Sequence, residues 1–437
     1  MEKGRIHVYV GPTCQADDIL QRFPEVVVHP PVSHGSFFSS EIESGDVAVV
    51  VDGFYHHRLG ARHKEYLYAL DRGVTVIGTA SIGALRALEL SAYGMAGFGV
   101  VHQLYRAGVF DGDDAVAVAH EEDAPYSSLS VPLVNLYTAA QAARAAGVLE
   151  AGDIDDVVSA LRSEYYPTRT HARVAHILRR VGRPAMAEWY ERQVGGDPYV
   201  FDQKREDCLG AIDAARHLVA AGAVGQVTGA DGADWKTLFL RTWSNHFVGM
   251  TGSPPLAHRL AYQQIFNPGY ARVWGRYLDE TYRGHQQGTA GGNACDLADA
   301  VSRRIGAERF PFSTTRRKAD WLYDFICPVP DLSDPREVEL LLSAEESTDA
   351  DSVARHLRQT REFTDQVHDP TSGKTSDVLP EEAGKILLCR IWGMPSDELS
   401  RECRRRGIPN IKAAVRILQP FIVGAVKERA HLRAEAV

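Results

Sequence analysis

The chain has 437 residues, of which 44% are apolar and 24% charged, with a formal net charge of −9. That length leaves room for two or three domains of ordinary globular composition. The acidic balance argues against binding nucleic acid through a broadly basic surface.

"MEKGRIHVYVG" runs from charges straight into a strand and has no apolar stretch of the signal-peptide kind. No run of about 18 apolar residues occurs, so no membrane span is expected. Six scattered cysteines (Cys14, Cys208, Cys295, Cys327, Cys389 and Cys403) show neither a C-x-x-C pair nor zinc-finger spacing. They point to a reducing, cytoplasmic setting.

The first 120 residues alternate between strand and helix. "RIHVYVG" reads as a strand, "TCQADDILQRF" as a helix with Thr13 as candidate N-cap, and "EVVVHPP" as a second strand. "DVAVVVDG" is a third strand, and "GARHKEYLYALDRG" a helix closed by Gly73. "VTVIG" is a fourth strand, and "IGALRALEL" is helical. This alternation predicts an α/β fold, a Rossmann-like parallel sheet with helices on both faces. Ligands of such sheets bind beyond the carboxyl ends of the strands. Those ends are residues 11–13, 31–35, 52–53 and 78–81.

Past residue 130 the pattern becomes helical, in "LVNLYTAAQAARAAGVL", "DIDDVVSALRSEYY", "THARVAHILRRVG", "DCLGAIDAARHLVAAG" and "ADWKTLFLRTW". All six tryptophans lie in this part, from Trp189 onward. The expected division is an α/β core over 1–125, a helical domain over 126–364, a polar linker over 365–384 and a small helical end domain over 385–437.

Ser81 stands in the turn between the fourth strand and its helix. Gly78-Thr79-Ala80-Ser81-Ile82-Gly83 is close to G-x-S-x-G, with the first glycine one position early. A serine here either caps the helix or stands exposed on a nucleophile elbow. In the second case the N–H groups of Ile82 and Gly83 would suit an oxyanion. His63, Lys64 and Glu65 open the preceding helix. His63 is a candidate general base near pH 7, or part of a solvated basic turn. Asp52 directly follows a buried strand, as a functional carboxylate or as a turn residue. Arg86 could serve an anion, or pair with Glu89 at i+3. His34 lies on a loop that could reach the strand ends, or is merely exposed. Cys14 at a helix start is a candidate low-pKa thiol. "TSGKTSD" lacks the first glycine and the preceding strand of a P-loop. His56-His57 and Glu121-Glu122-Asp123 lack metal-ligand spacing, so no metal is expected.

Taken together, "VYVGPT", "VVVDGFY", "RHKEYLYALDRGVTVIGTASIGALRALEL" and "YGMAGFG" followed by "LYRAGVFDGDDAVAVAH" resemble the TfuA-like core domain over roughly residues 5–125. The chain departs from the family pattern at Thr79-Ala80, where Ala and Ser are usual. The resemblance implies a partner of YcaO-type enzymes in thioamidation of peptide backbones. YcaO would use ATP to activate the amide, so no cofactor is expected on this chain. It further implies that the protein supplies sulfur by hydrolysing a thiocarboxylated, ubiquitin-like carrier of the ThiS type. The precursor peptide would be met through the YcaO partner.

Such a reaction needs an activated serine or water, a base, an oxyanion site and a cation against the anionic thiocarboxylate. The simplest assignment is Ser81 as nucleophile, His63 as base, Asp52 orienting it as in a triad, Ile82 and Gly83 as oxyanion donors, and Lys64 or Arg86 as the cation. Thr13, Cys14, His34 and Glu65 are candidate substrate contacts. The rival is a module that only recruits the carrier or completes YcaO, with Ser81 a cap. A third reading is a phosphate- or nucleotide-binding domain with no base near Ser81. Convergence of His63, Ser81 and Asp52 on one pocket favours an enzyme, and their separation favours a scaffold.

Overall fold

A computed structural model describes residues 4–39, 41–54, 58–225, 235–286, 328–367, 379–424 and 426. They form two compact units, residues 1–236 and 237–437.

The first unit is built on five parallel strands, β1 (Ile6–Tyr9), β2 (Val27–His29), β3 (Val47–Val50), β4 (Thr75–Thr79) and β5 (Ala96–Phe98), in the order β2-β1-β3-β4-β5. The expected parallel α/β sheet is therefore present. β3 explains the near-continuous apolar run in its sequence. Val47, Val49 and Val51 pack into one core, and Ala48 and Val50 into another on the opposite face. A strand buried on both faces has no polar alternation to show.

The helices α1 (Ala16–Arg22), α2 (His63–Asp71) and α3 (Ile82–Glu89) lie where the alternation predicts, and β5 is followed by a further helix, α4 (Gly99–Arg106). Thr13 does not cap α1, whose N-cap is Gln15. After α5 (Leu133–Ala145), α6 (Asp153–Arg162), α7 (His171–Arg180) and α8 (Pro184–Gly196), the chain returns to the sheet as α9 (Gln203–Ala221). Leu209, Ile212 and Ala215 of α9 enter the core beneath β1 and β3. Asp207 accepts from the N–H groups of Val100 (3.0 Å) and Val101 (2.7 Å), which holds α9 to the start of α4. The first compact unit thus runs to Lys236, past residue 125.

The second unit consists of helices joined by turns and loops among its described residues. It has one core around Trp274, Tyr270 and Tyr277 and another around Leu388, Leu399, Ile408 and Leu418. Of the expected linker, residues 365–367 end a helix (Asp349–Val367) and 368–378 lie outside the described residues. Cys295, Cys327, His56 and His57 also lie outside them. No helix of the described residues is long and apolar enough to cross a membrane.

Candidate functional site

In a sheet of order 2-1-3-4-5 the connections reverse direction between β1 and β3, which opens a crevice at their carboxyl ends. A cavity of about 70 Å³ lies there. Its wall includes Pro12 after β1, Asp52 and Gly53 after β3, and Ser81 and Ile82 after β4. His120 and Lys204 complete it from segments distant in sequence.

The turn that carries Ser81 is tight. Ala80 has φ +60°, a conformation costly for a residue with a side chain. A Cβ at Gly78 would stand 2.0 Å from the Gly83 carbonyl oxygen, and one at Gly83 would stand 1.9 Å from that of Val50. Only glycine at both positions lets α3 start so close to β3 and β4. Ser81 is 8% exposed and occupies the N-cap position, yet its hydroxyl makes no capping hydrogen bond. The N–H of Ile82 has no hydrogen-bond partner among the described residues. The N–H of Gly83 is already used, donating to Val51 O at 3.2 Å. Of the two expected oxyanion donors, only Ile82 is available.

Asp52 is buried and accepts three hydrogen bonds from the loop after β1. Gly11 N–H (2.9 Å) and Thr13 N–H (3.0 Å) donate to Oδ2, and the Thr13 hydroxyl (2.7 Å) donates to Oδ1. Thr13 therefore locks the loop to Asp52. Asp52 does not orient His63.

His63 lies elsewhere, at the start of α2. Its Nε2 is 2.7 Å from Glu89 Oε2 and 3.3 Å from Arg86 Nη1, and Arg86 also pairs with Glu89. This cluster is open to solvent, with side-chain exposures of 51% for His63 and 43% for Glu89. Burial pushes the Glu89 carboxyl up, but its hydrogen bonds with Arg86 and His63 outweigh that and hold it below the ordinary range. His63, Lys64 and Arg86 do not line the cavity. Glu65 is fully buried and structural. It accepts from Arg62 N–H (3.0 Å) at the head of α2, from His34 Nδ1 (2.7 Å) and from Gly35 N–H (2.7 Å).

Cys14 and Thr13 line a second, larger cavity of about 500 Å³, shared with Arg205, His171 and Tyr190. A hydrogen bond from Cys208 lowers the Cys14 thiol, against burial and with help from Arg205, while the same contact and burial push Cys208 up.

The imidazole in the first cavity is His120, on the loop between α4 and α5. That loop is held by a bridge to Ser128 and by the Ala119 N–H to Ser130 Oγ bond of 2.8 Å. His120 Nδ1 lies 2.6 Å from the Glu121 carbonyl oxygen. A carbonyl can only accept, so Nδ1 carries hydrogen and the neutral ring presents Nε2 as an acceptor. Lys204 comes from the first turn of α9 and is 2% exposed. Its Nζ donates to Val116 O at 2.9 Å and lies 3.9 Å from Asp52 Oδ1. Burial pushes its ammonium below the ordinary range, opposed by Asp52 and Asp202. Lys204 carries no local motif in the sequence, whereas His120 closes the "LYRAGVFDGDDAVAVAH" stretch that belongs to the TfuA-like resemblance. Among the described residues, no group of three His, Cys, Asp or Glu side chains is placed to hold a metal ion.

Comparison with known proteins gives one family. A family model described as TfuA-like protein matches residues 52–170. No curated protein matches the chain. The match takes in Asp52, Ser81, Ile82 and His120, and ends before Lys204.

Proposed function

With residues 52–170 a TfuA-like region, and so associated with YcaO-type thioamidation, we propose that the chain is a sulfur-releasing hydrolase. Its substrate is a thiocarboxylated, ubiquitin-like carrier protein, and the sulfide goes to a YcaO partner. The observation that carries this reading is the placing of an uncapped serine, an acceptor imidazole and an unpaired helix-start N–H on one cavity at the switch point of the sheet.

The steps follow from those groups. Ser81 Oγ attacks the carbonyl carbon of the thiocarboxylate while His120 Nε2 takes the hydroxyl proton. The Ile82 N–H donates to the oxyanion of the tetrahedral intermediate, at the positive end of α3. The C–S bond breaks, the proton held by His120 passes to the departing sulfur, and hydrosulfide leaves. Water activated by His120 then cleaves the seryl ester. Overall, RCOS⁻ and H₂O become RCOO⁻, HS⁻ and H⁺. His63 has no part in this sequence, because its ring is committed to Glu89 and Arg86.

One observation favours the non-catalytic alternative. His63 does not converge with Ser81 and Asp52, and its exposed cluster with Arg86 and Glu89 would suit contact with a carrier or YcaO. Sulfide release from a thiocarboxylated ubiquitin-like carrier, measured with this protein alone and then with YcaO, separates the two. Release by the protein alone, lost in Ser81→Ala, supports the hydrolase. No release in either setting, with thioamidation still dependent on this protein, supports recruitment.

A further inference from the structure

Lys204 is an unusual residue to find where it is. An ammonium group has three hydrogens to donate. Here one goes to the Val116 carbonyl, and the nearest carboxylate oxygen, Asp52 Oδ1, stands at 3.9 Å, beyond hydrogen-bond reach. Asp52 meanwhile is already satisfied by Gly11 and Thr13. The pair is thus loosely matched, although a buried charge is costly without close partners.

The surroundings hold the lysine in place. Its own N–H donates to Asn135 Oδ1 at 3.3 Å, and Asn135 Nδ2 is bonded to Asp202, the N-cap of α9. The turn that supplies the Val116 carbonyl is fixed from below by Arg169, which is 1% exposed and donates to the Asp114 carbonyl at 3.1 Å. The amine is therefore held in place, and Lys204 lines the cavity that Ser81 and Ile82 also line.

We infer that Lys204 is an anion-recognition residue, and that with Ser81 and Ile82 it forms a receptor for the terminal carboxylate or thiocarboxylate of a peptide chain. The cavity's size narrows the ligand further. At about 70 Å³ it is about half the volume of a pocket that takes benzene. Pro12, Pro31, Phe54 and Ile82 give it apolar lining, and Asp52 and Asp113 bring carboxylates to it beside Lys204. It has room for a small planar anion at the end of a chain. The inference rests on the hydrolase reading only for which anion is the substrate. The hydrolysed product, a carboxylate, would occupy the same site and compete with substrate. A lysine outside the TfuA-like stretch would then supply the cation that the reaction requires.

The test is binding rather than turnover. N-acetyl-glycylglycine is titrated into the full chain by isotope-edited NMR, with lysine ε-carbons labelled, beside its C-terminal amide. The expected result is that the acid binds at least about tenfold more tightly than the amide and shifts one lysine resonance, which Lys204→Met removes. In Lys204→Met, and in Asp52→Asn/Lys204→Met, which leaves no unpaired carboxylate, the preference for the acid falls to about one. Equal binding of acid and amide to the unaltered protein, or a preference that survives in a folded Lys204 variant, overturns the inference. If neither variant folds, the resonance shift and the acid–amide ratio in the unaltered protein still decide. An acid preference that depends on Lys204, alongside no sulfide release, would sink the hydrolase and leave the receptor standing.

Discussion

Two histidines of the first unit, His63 and His120, stand as candidates for the chemistry, and they differ in what surrounds them. His63, Arg86 and Glu89 lie on the exposed ends of α2 and α3 and satisfy one another. Ser81, His120 and Lys204 line a crevice where hydrogen-bonding capacity is left over and the backbone has no room to relax. An exposed ion cluster is screened by water and contributes little. A confined one keeps its field and has capacity left for a ligand. Local spacing favours the first place, and the tertiary structure favours the second.

The largest expected effect is on chemistry. Ser81→Ala should lower sulfide release by roughly 10³-fold or more if Ser81 is the nucleophile, with an unchanged circular dichroism spectrum. An effect below tenfold would make the crevice a binding site only. Next comes the anchor of the loop after β1. Asp52→Ala strands Lys204 and frees three donors, and should cost about 3–5 kcal/mol in urea unfolding. A cost near that of a surface change, under about 1 kcal/mol, would mean that the crevice is wetter and less constrained than its geometry indicates. Gly83→Ala should cost about 1–3 kcal/mol or more, because its Cβ meets backbone that cannot step aside. The matching change on the exposed cluster, Arg86→Ala, should stay within about 1 kcal/mol.

These contrasts also show what the sequence could reveal. The parallel sheet was legible because β-branched runs and helical spacing alternate with short turns. Ser81, Asp52 and Ile82 were legible because strand ends are where such sheets bind ligands. The return of α9 to the sheet was not, since "DCLGAIDAARHLVAAG" has the spacing of any helix with an apolar face, and nothing in it names the surface it covers. Lys204 and His120 followed it out of view. Lys204 stands alone in its segment, and His120 ends a stretch that carries the resemblance but names no role for it; long-range packing brings both to the cavity of Ser81. His63 misled for the opposite reason. It has the right residue type at a helix start, but the neighbour that claims it is Glu89, 26 positions away.

The smallest expected effect is on pH dependence, away from the crevice. His7 is buried between His29 (2.9 Å) and Asp46 (3.2 Å). Burial lowers both imidazoles below 6.5; Asp46 opposes this at His7, and His7 adds to it at His29. Their folded forms resist protonation more than the unfolded chain does. The stability they contribute is complete above about pH 6.5 and is lost as pH falls through the lowered folded values. The urea midpoint should drop between pH 7.5 and pH 5, and drop less in His29→Phe. An equal drop in both would assign the acid sensitivity to other groups.

The central claim is that the imidazole serving Ser81 is His120. The direct measurement is sulfide release from a thiocarboxylated ubiquitin-like carrier by His120→Gln and His63→Gln, with both proteins shown to be folded. The account predicts a loss of about 10²-fold or more in His120→Gln and less than about threefold in His63→Gln, an exposed pair member. The reverse order, with His63→Gln inactive and His120→Gln near normal, would contradict it and move the chemistry to the ends of α2 and α3.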